Sequence, residues 1–302
     1  PWVDSSDGAA VRIAMTVGTA NKGEGRLLMV REEKPSENLQ DEIEVTLTEK
    51  KGILFSDLTI GANVSAAKGL LANSDISNRG VCLFGAGFIV SSDQAKNLGL
   101  GKVPGLEKHI RHYRNGRDLT QSSRNVMVID AFGLTAEELR DKYGEVYQWL
   151  LQKVKPERDL NKREVRRKNW WLFGETNPKL RDQLSKLKRY IATVETTKHR
   201  TFQFLDNDIL PDNMLVNIAV DNAYLLGVLS SRIHCLWALS SGGTLEDRPR
   251  YNKTVCFETF PFPEISSEHR ATILSLAERL DLLRKQQLKL HSELTLTAMY
   301  NV

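Results

Sequence analysis

Glu246, Arg248 and Arg250 stand two residues apart, and in an extended segment that spacing projects all three side chains to the same side. Arginine offers a two-pronged donor to the O6 and N7 acceptors of guanine, and glutamate accepts from the cytosine amino group. The chemistry available to such a trio is recognition of base edges, not bond making. Pro249 stiffens the backbone between the two arginines, and Tyr251, Asn252 and Lys253 follow directly. The competing account is a surface hairpin whose arginines are merely solvated. Ser240-Ser241-Gly242-Gly243 breaks the chain just before this stretch, and Phe260-Pro261-Phe262-Pro263 closes it.

Basic groups elsewhere suit phosphate. The net charge is +4, yet residues 1–60 carry seven basic and eleven acidic side chains, so the positive excess lies in the rest of the chain. Between Lys153 and Lys168 eight basic residues face three acidic ones, with Arg163, Arg166 and Arg167 at the centre. Such clustering fits contact with a nucleic-acid backbone, although a solvated basic helix reads the same way. Thr196 to Arg200 is a compact set of hydroxyls and cations in which Lys198, His199 and Arg200 are phosphate candidates. Asn115-Gly116 signals a tight turn flanked by Arg111, Arg114 and Arg117, so Arg114, Asn115 and Arg117 are expected as a backbone clamp. Lys253 is placed with the same class.

Other constellations point away from catalysis and metals. Cys82, Cys235 and Cys256 are isolated and odd in number, which fits no zinc spacing and no disulfide framework and suggests a reducing cytoplasm. Asp206, Asp208 and Asp212 lack the central Gly and terminal Glu of a calcium loop, so a turn is expected and no metal site. Phe84-Gly-Ala-Gly-Phe88 superficially resembles a glycine loop for S-adenosylmethionine. Apolar residues continue beyond it, so a bulge or close backbone approach is the better account. Trp170 and Trp171 could stack on a base, but core packing is the expectation for at least one of them. No signal peptide or long apolar run occurs, which predicts a soluble chain without membrane contact. The start at Pro1-Trp2-Val3 suggests a piece of something larger.

The elements that must position these residues are mixed. Ala9–Val17 and Arg26–Arg31 read as strands joined by a turn-rich segment, and Lys34–Asp41 as a polar connector. The stretch from Ile43 to Asn73 has no clear period. Strands are expected at 81–90, 125–132, 190–194, 200–205 and 214–220. The clearest helix is Thr135–Val154, opened by a Thr135/Glu138 capping box, with another helix over 153–168 after Pro156. Asn177-Pro178 caps a further one. Asp221 opens a helix to Leu239 with Ile233 and Leu236 among its buried residues, and Ser266 or Ser267 caps a last amphipathic helix to Leu294 lined by Ile273, Leu276, Leu280 and Leu283. The fold class is α+β: a sheet-containing domain with packed helices, then a helical segment.

Several runs together resemble the MmeI-like restriction–modification enzymes: Ile110–Leu119, Asn169–Glu175, Arg189–Thr193 with Lys198–Arg200, and Arg250–Thr254 with Phe260–Pro263. These are large single chains joining a nuclease, a helical connector, an adenine methyltransferase and a target recognition domain. The resemblance implies that Leu245 to Asn252 reads bases, with Glu246, Arg248 and Arg250 at base-contacting positions and Asn252 beside them. It also implies residues 1–40 as the tail of a methyltransferase domain and a connector, 41–264 as the recognition domain and 265–302 as a truncated helical segment. Arg111-His112-Tyr113 departs from the family's Arg-Pro-Tyr, and the Asn-Pro-Pro-Tyr/Phe motif of amino-methyltransferases is absent, as is an Asp…Glu-x-Lys nuclease set. This stretch is therefore expected to bind double-stranded DNA without catalysing and without its own cofactor, while the parent uses S-adenosylmethionine and Mg for adenine-N6 methylation and cleavage. Two other readings stay open: a cofactor-binding part of a methyltransferase, and a protein-interaction module docking through the last helix.

Overall fold

The computed structural model describes residues 14–20, 23–35, 43–55, 58–245 and 248–301. Glu246, most of the strand expected over 9–17 and residues 36–41 of the connector lie outside them. Two compact units divide at Lys68/Gly69.

In the first unit, β1 (Gly25–Pro35) pairs antiparallel with β2 (Ile43–Gly52), from Gly25↔Gly52 to Pro35↔Ile43, with a bulge between Val30 and Glu32. The 26–31 segment pairs with β2, and residues 14–18 carry no strand. Ile43, Val45 and Leu47 alternate with Glu44, Thr46 and Thr48, the two-residue period of a strand. The ribbon is widely exposed, and Arg26 pairs with Glu49 across it.

The second unit opens with β3 (Ser77–Arg79), β4 (Ile89–Val90), α1 (Ser92–Asn97), β5 (Ile110–Arg114), α2 (Gly116–Thr120) and β6 (Met127–Ile129). Next come α3 (Ala136–Lys142), α4 (Gly144–Lys153), α5 (Lys155–Asp159), α6 (Glu164–Lys168) and α7 (Pro178–Ser185). Then follow β7 (Arg189–Val194), β8 (Gln203–Asp206), β9 (Ile209–Pro211), β10 (Leu215–Ile218), α8 (Ala223–Leu229) and α9 (Arg232–Ser241). The chain ends in a small hairpin of β11 (Thr244–Leu245) and β12 (Arg248–Pro249), one wide helical turn Lys253–Phe257, α10 (Ser267–Leu290) and α11 (Leu296–Met299). Helices packed on two small sheets make the class α+β.

The central sheet has the order β3-β10-β7-β8, antiparallel throughout. Its strands are buried on both faces, and their side chains alternate accordingly. Ile191, Phe204, Val216 and Ile218 face a core with Leu226, Leu229, Tyr251 and Phe257, whereas Tyr190, Ala192, Val194, Leu205 and Leu215 face one with Leu119, Leu180 and Leu184. The other sheet, β4-β6-β5-β9, closes a separate core with α3, α4, Trp170 and Phe173, and β9 joins β5 in parallel.

Several expected helices are broken. The Thr135/Glu138 capping box forms as anticipated, but the helix stops at Tyr143 and restarts at Gly144. Tyr143 leaves helical geometry with its ring 5.3 Å from that of His109, so a tertiary contact overrides a continuous helical period. The basic stretch splits into α5 and α6. Ser231 caps α9 separately from α8, which shifts the helical phase: His234 and Ala238 turn inward while Ile233 and Leu236, expected to be buried, face outward.

On α10 the buried stripe is Ala277, Asp281 and Arg284, with Leu276 and Leu283 exposed. Asp281 Oδ1 accepts from the backbone N–H of Phe204 at 3.1 Å, and Arg284 Nη1 donates to Phe202 O at 2.9 Å. The helix therefore covers the edge strand β8, which needs polar partners more than leucines. Among the described residues no helix is long and apolar enough to cross a membrane.

Candidate nucleic-acid interface

The stretch that carries the reading candidates is clipped to the end of β7. Arg250 bridges Thr196, Thr197 N donates to Pro249 O at 3.3 Å, and Tyr251 N donates to Glu195 O at 2.6 Å. Tyr251 is fully buried, its hydroxyl 2.9 Å from His234 Nε2 and its ring 5.3 Å from that of Phe202. Burial, with a smaller push from Arg200, lowers the His234 pKa to about 3, so this imidazole is neutral near pH 7. The loop thus rests on a rigid anchor, which a base-reading segment requires.

The segment is not extended over its whole length. Leu245 pairs with Arg248 and Thr244 with Pro249, so the chain doubles back as a hairpin, with Glu246 outside the described residues. Arg248 and Arg250 lie in the returning strand and its continuation, and the place of Glu246 relative to them falls outside the described residues. Arg248 and Arg250 are exposed.

Arg250 is held by Glu195. Its Nε and Nη2 donate to Glu195 Oε1 at 2.8 and 2.6 Å. The other carboxylate oxygen, Oε2, accepts from Arg79 Nη2 at 2.6 Å, and Arg79 Nε donates to Asn213 O at 2.9 Å. Glu195 has a side chain 7% exposed, against 49% for each arginine. Neither Arg79 nor Glu195 is visible as a candidate in the sequence: they lie 116 positions apart, and a lone Glu after an apolar strand carries no signal.

Two expected site residues have other employment. Arg200, expected on phosphate, points inward: it donates to Val194 O, to Thr193 Oγ1 at 3.0 Å and to Pro249 O at 3.1 Å, and lies 4.9 Å from the Tyr251 ring centre. Burial lowers its pKa to about 10. It braces the loop from below. Asn252, expected to read a base, caps the following turn, its Oδ1 accepting from Thr254 N at 3.0 Å and Thr254 Oγ1 at 2.7 Å. Both acceptor positions are used, so it does not offer adenine the donor–acceptor pair.

The remaining candidates fall into four places. Lys198 Nζ and His199 Nε2 lie 2.8 and 2.7 Å from Asn301 Oδ1, and Lys253 pairs with Glu258 at 2.5 Å. Asn115, expected in a tight turn, caps α2 through a reciprocal box with Asp118. Gly116 packs against Val194, where an added Cβ would come within 2.8 Å of Cγ1, so α2 lies beside the strand end that leads into Glu195. Arg117 is exposed, and Arg114 Nη2 donates to Asn125 Oδ1 at 3.2 Å. On the other core, Arg163 is exposed, Arg167 Nη1 donates to Asn161 O at 2.6 Å, and Arg166 stacks 3.6 Å over Phe84. Arg158, from the same basic run, is buried and donates to Leu83 O and Leu172 O at 2.8 and 3.1 Å.

The 84–88 segment forms a short 3-10 turn leading straight into β4. An added Cβ at Gly87 would lie 2.4 Å from Lys153 O, the close backbone approach expected of this glycine. Trp171 Nε1 donates to Leu134 O at 2.9 Å and Trp170 packs edge-on against Tyr147, so both rings serve the core. Among the described residues no group of His, Cys, Asp or Glu is arranged to hold a metal ion.

Comparison with known proteins agrees with this architecture. A solved structure of the Type IIL restriction-modification enzyme MmeI in complex with DNA superposes with a TM-score of 0.67 at 19% identity, over 85% of this chain and 34% of that one. DNA methyltransferase A of Bacillus subtilis (strain 168) is 36% identical over 80 residues, 26% of this chain and 9% of that protein. This chain therefore spans only a minor part of either relative. The family described as MmeI, target recognition domain, matches residues 76–264, more than half of the chain. This chain belongs to the MmeI target recognition domain family.

Proposed function

We propose that this chain is the DNA-reading region of a larger restriction–modification enzyme, selecting a sequence in duplex DNA through the 245–250 hairpin. The observation that carries the proposal is the fastening of that hairpin. A buried tyrosine, the inward Arg200 and backbone bonds to the end of β7 hold Arg248 and Arg250 on a rigid support with their side chains exposed. Direct readout needs such fixed donors, because each good two-pronged contact discriminates by about 1–3 kcal/mol only when geometry is held. Arg114, Arg117, Lys198 and His199 flank the same strand end and supply charge for phosphate. Arg163, Arg166 and Arg167 on α6 and its cap form a second basic surface.

In the parent protein, this region positions DNA so that a methyltransferase domain flips out an adenine for N6 methylation. S-adenosylmethionine and Mg serve those other domains. Residues 1–40 are assigned to the end of the methyltransferase domain and a connector, 41–264 to recognition and 265–302 to the helical segment. The parent is assigned to the cytoplasm.

The test is a titration of the purified chain with a mixed-sequence duplex over a salt series, followed by sequencing of a randomised duplex pool that it retains. Binding that weakens steeply with salt, together with enrichment of a defined sequence, is the expected result. Salt-insensitive behaviour with no enrichment refutes the proposal.

A further inference from the structure

Glu195 gathers more positive charge than its own neutralisation requires. Its buried carboxylate already receives two hydrogen bonds from Arg250, both on Oε1. Arg79 arrives from the edge strand β3 to occupy the remaining oxygen, at 2.6 Å. Two guanidiniums on one carboxylate leave a surplus of one positive charge at a half-exposed surface. Arg79 satisfies the buried Oε2, and the two like charges held so close leave a local positive field that an anion would relieve.

The two arginines are tied in the same manner. In Arg79, Nε is bound to Asn213 O and Nη2 to Glu195 Oε2; in Arg250, Nε and Nη2 are bound to Glu195 Oε1. The inner edge of each fork is thus fixed. Among the described residues no partner is bonded to Nη1 of either. Each side chain is 49% exposed, so the Nη1 corners are the ones left for a ligand. The backbone that carries Glu195 is fixed on both sides, its N–H donating to Met214 O at 2.8 Å and its carbonyl accepting from Tyr251 N at 2.6 Å.

We infer that Arg79 is a further DNA-contacting residue, a phosphate ligand held beside Arg250 by the shared carboxylate, and that Glu195 is the positioning residue of the pair. This inference rests on the DNA-reading function proposed above. Phosphate suits Arg79 because carboxylate sharing creates surplus charge, and charge is what the DNA backbone offers to match. Arg79 also stands on a sheet edge, outside the hairpin.

The experiment uses the whole chain with a mixed-sequence duplex over a salt series, and with a randomised duplex pool sequenced after selection. Arg79→Gln is expected to lower the magnitude of the slope of log K against log salt by about 0.9, the loss of one phosphate contact, with base preferences unchanged. Glu195→Gln is expected to leave that slope undiminished but to flatten preference at one base position, an effect that loss of stability alone does not produce. Thermal melting monitors folding of each variant, and Glu195→Asp, which keeps the charge but shortens the reach, replaces Glu195→Gln if the latter unfolds, with the same flattening expected. An unchanged slope for Arg79→Gln overturns the inference, as does a changed base preference in that variant. Unaltered preferences in the Glu195 variant overturn the positioning role. If the unsubstituted chain shows no salt-dependent binding, the DNA-reading function itself fails and this inference with it. That result is distinguishable, because no slope then exists to compare.

Discussion

The hydroxyl of Tyr251 lies 2.9 Å from Nε2 of His234, inside the core beneath the reading hairpin, with both side chains shut off from solvent. The other ring nitrogen, Nδ1, is buried with no hydrogen-bond partner among the described residues. Replacing Tyr251 by Phe leaves the whole imidazole unsatisfied, and stability is expected to fall by about 1–3 kcal/mol. Urea unfolding of the two chains measures it.

The same imidazole sets an acid limb. Its pKa falls from 6.5 to about 3 on folding, chiefly through burial, so below pH 6.5 the unfolded chain binds a proton that the folded chain refuses. The stabilising contribution is complete above pH 6.5 and is lost as pH falls towards 3, with a slope approaching about 1.4 kcal/mol per pH unit. His234→Gln, which does not titrate, is expected to show a flatter limb in urea unfolding across that window. Parallel limbs refute the assignment.

Specificity is expected to follow the hairpin. Exchanging charge, Glu246→Lys with Arg248→Asp, should change the preferred base rather than merely weaken binding. The contrast at stake is about 1–3 kcal/mol, roughly 5- to 150-fold. Sequencing the randomised duplexes that the variant retains decides it, and an unchanged preference removes the hairpin from the reading surface.

The basic surface around α6 should act without regard to sequence. Substituting Arg163, Arg166 and Arg167 together by Ala is expected to weaken binding to all duplexes alike. The salt slope should drop by between about 0.9 and 2.7, for one to three phosphates lost. An unchanged affinity at low salt makes this a solvated face.

Gly87 tests whether the glycine pair is architectural. A methyl there would meet the backbone of Lys153 at 2.4 Å, an atom that cannot rotate away. Gly87→Ala is expected to cost about 1–3 kcal/mol of stability, with DNA affinity per folded molecule unaltered. Denaturation and titration of the same preparation check both halves.

Local features of the chain were decided by local chemistry and could be read without the fold. The Thr135/Glu138 box, the Asn177-Pro178 cap and the two-residue alternation of β7 depend on neighbours within a few positions, and all three form. The break after Ser240 to Gly243 is equally local, but the hairpin that follows it is the competing account to the extended segment that the two-residue spacing suggests. What the residues there touch is a different matter. Arg200 and Arg250 are alike in type and setting in the sequence, yet one is drawn under Tyr251 by backbone carbonyls and the other is held at the surface by Glu195. Asn252 is an adenine reader by type and a turn cap by contact. The exposure of Ile233 and Leu236 follows from a break at Ser231, and the polar stripe of α10 from the edge of β8. In each case the deciding partner is distant in sequence or set by a shift of helical phase. Burial and hydrogen bonding across such distances exist only once the strands have been brought together.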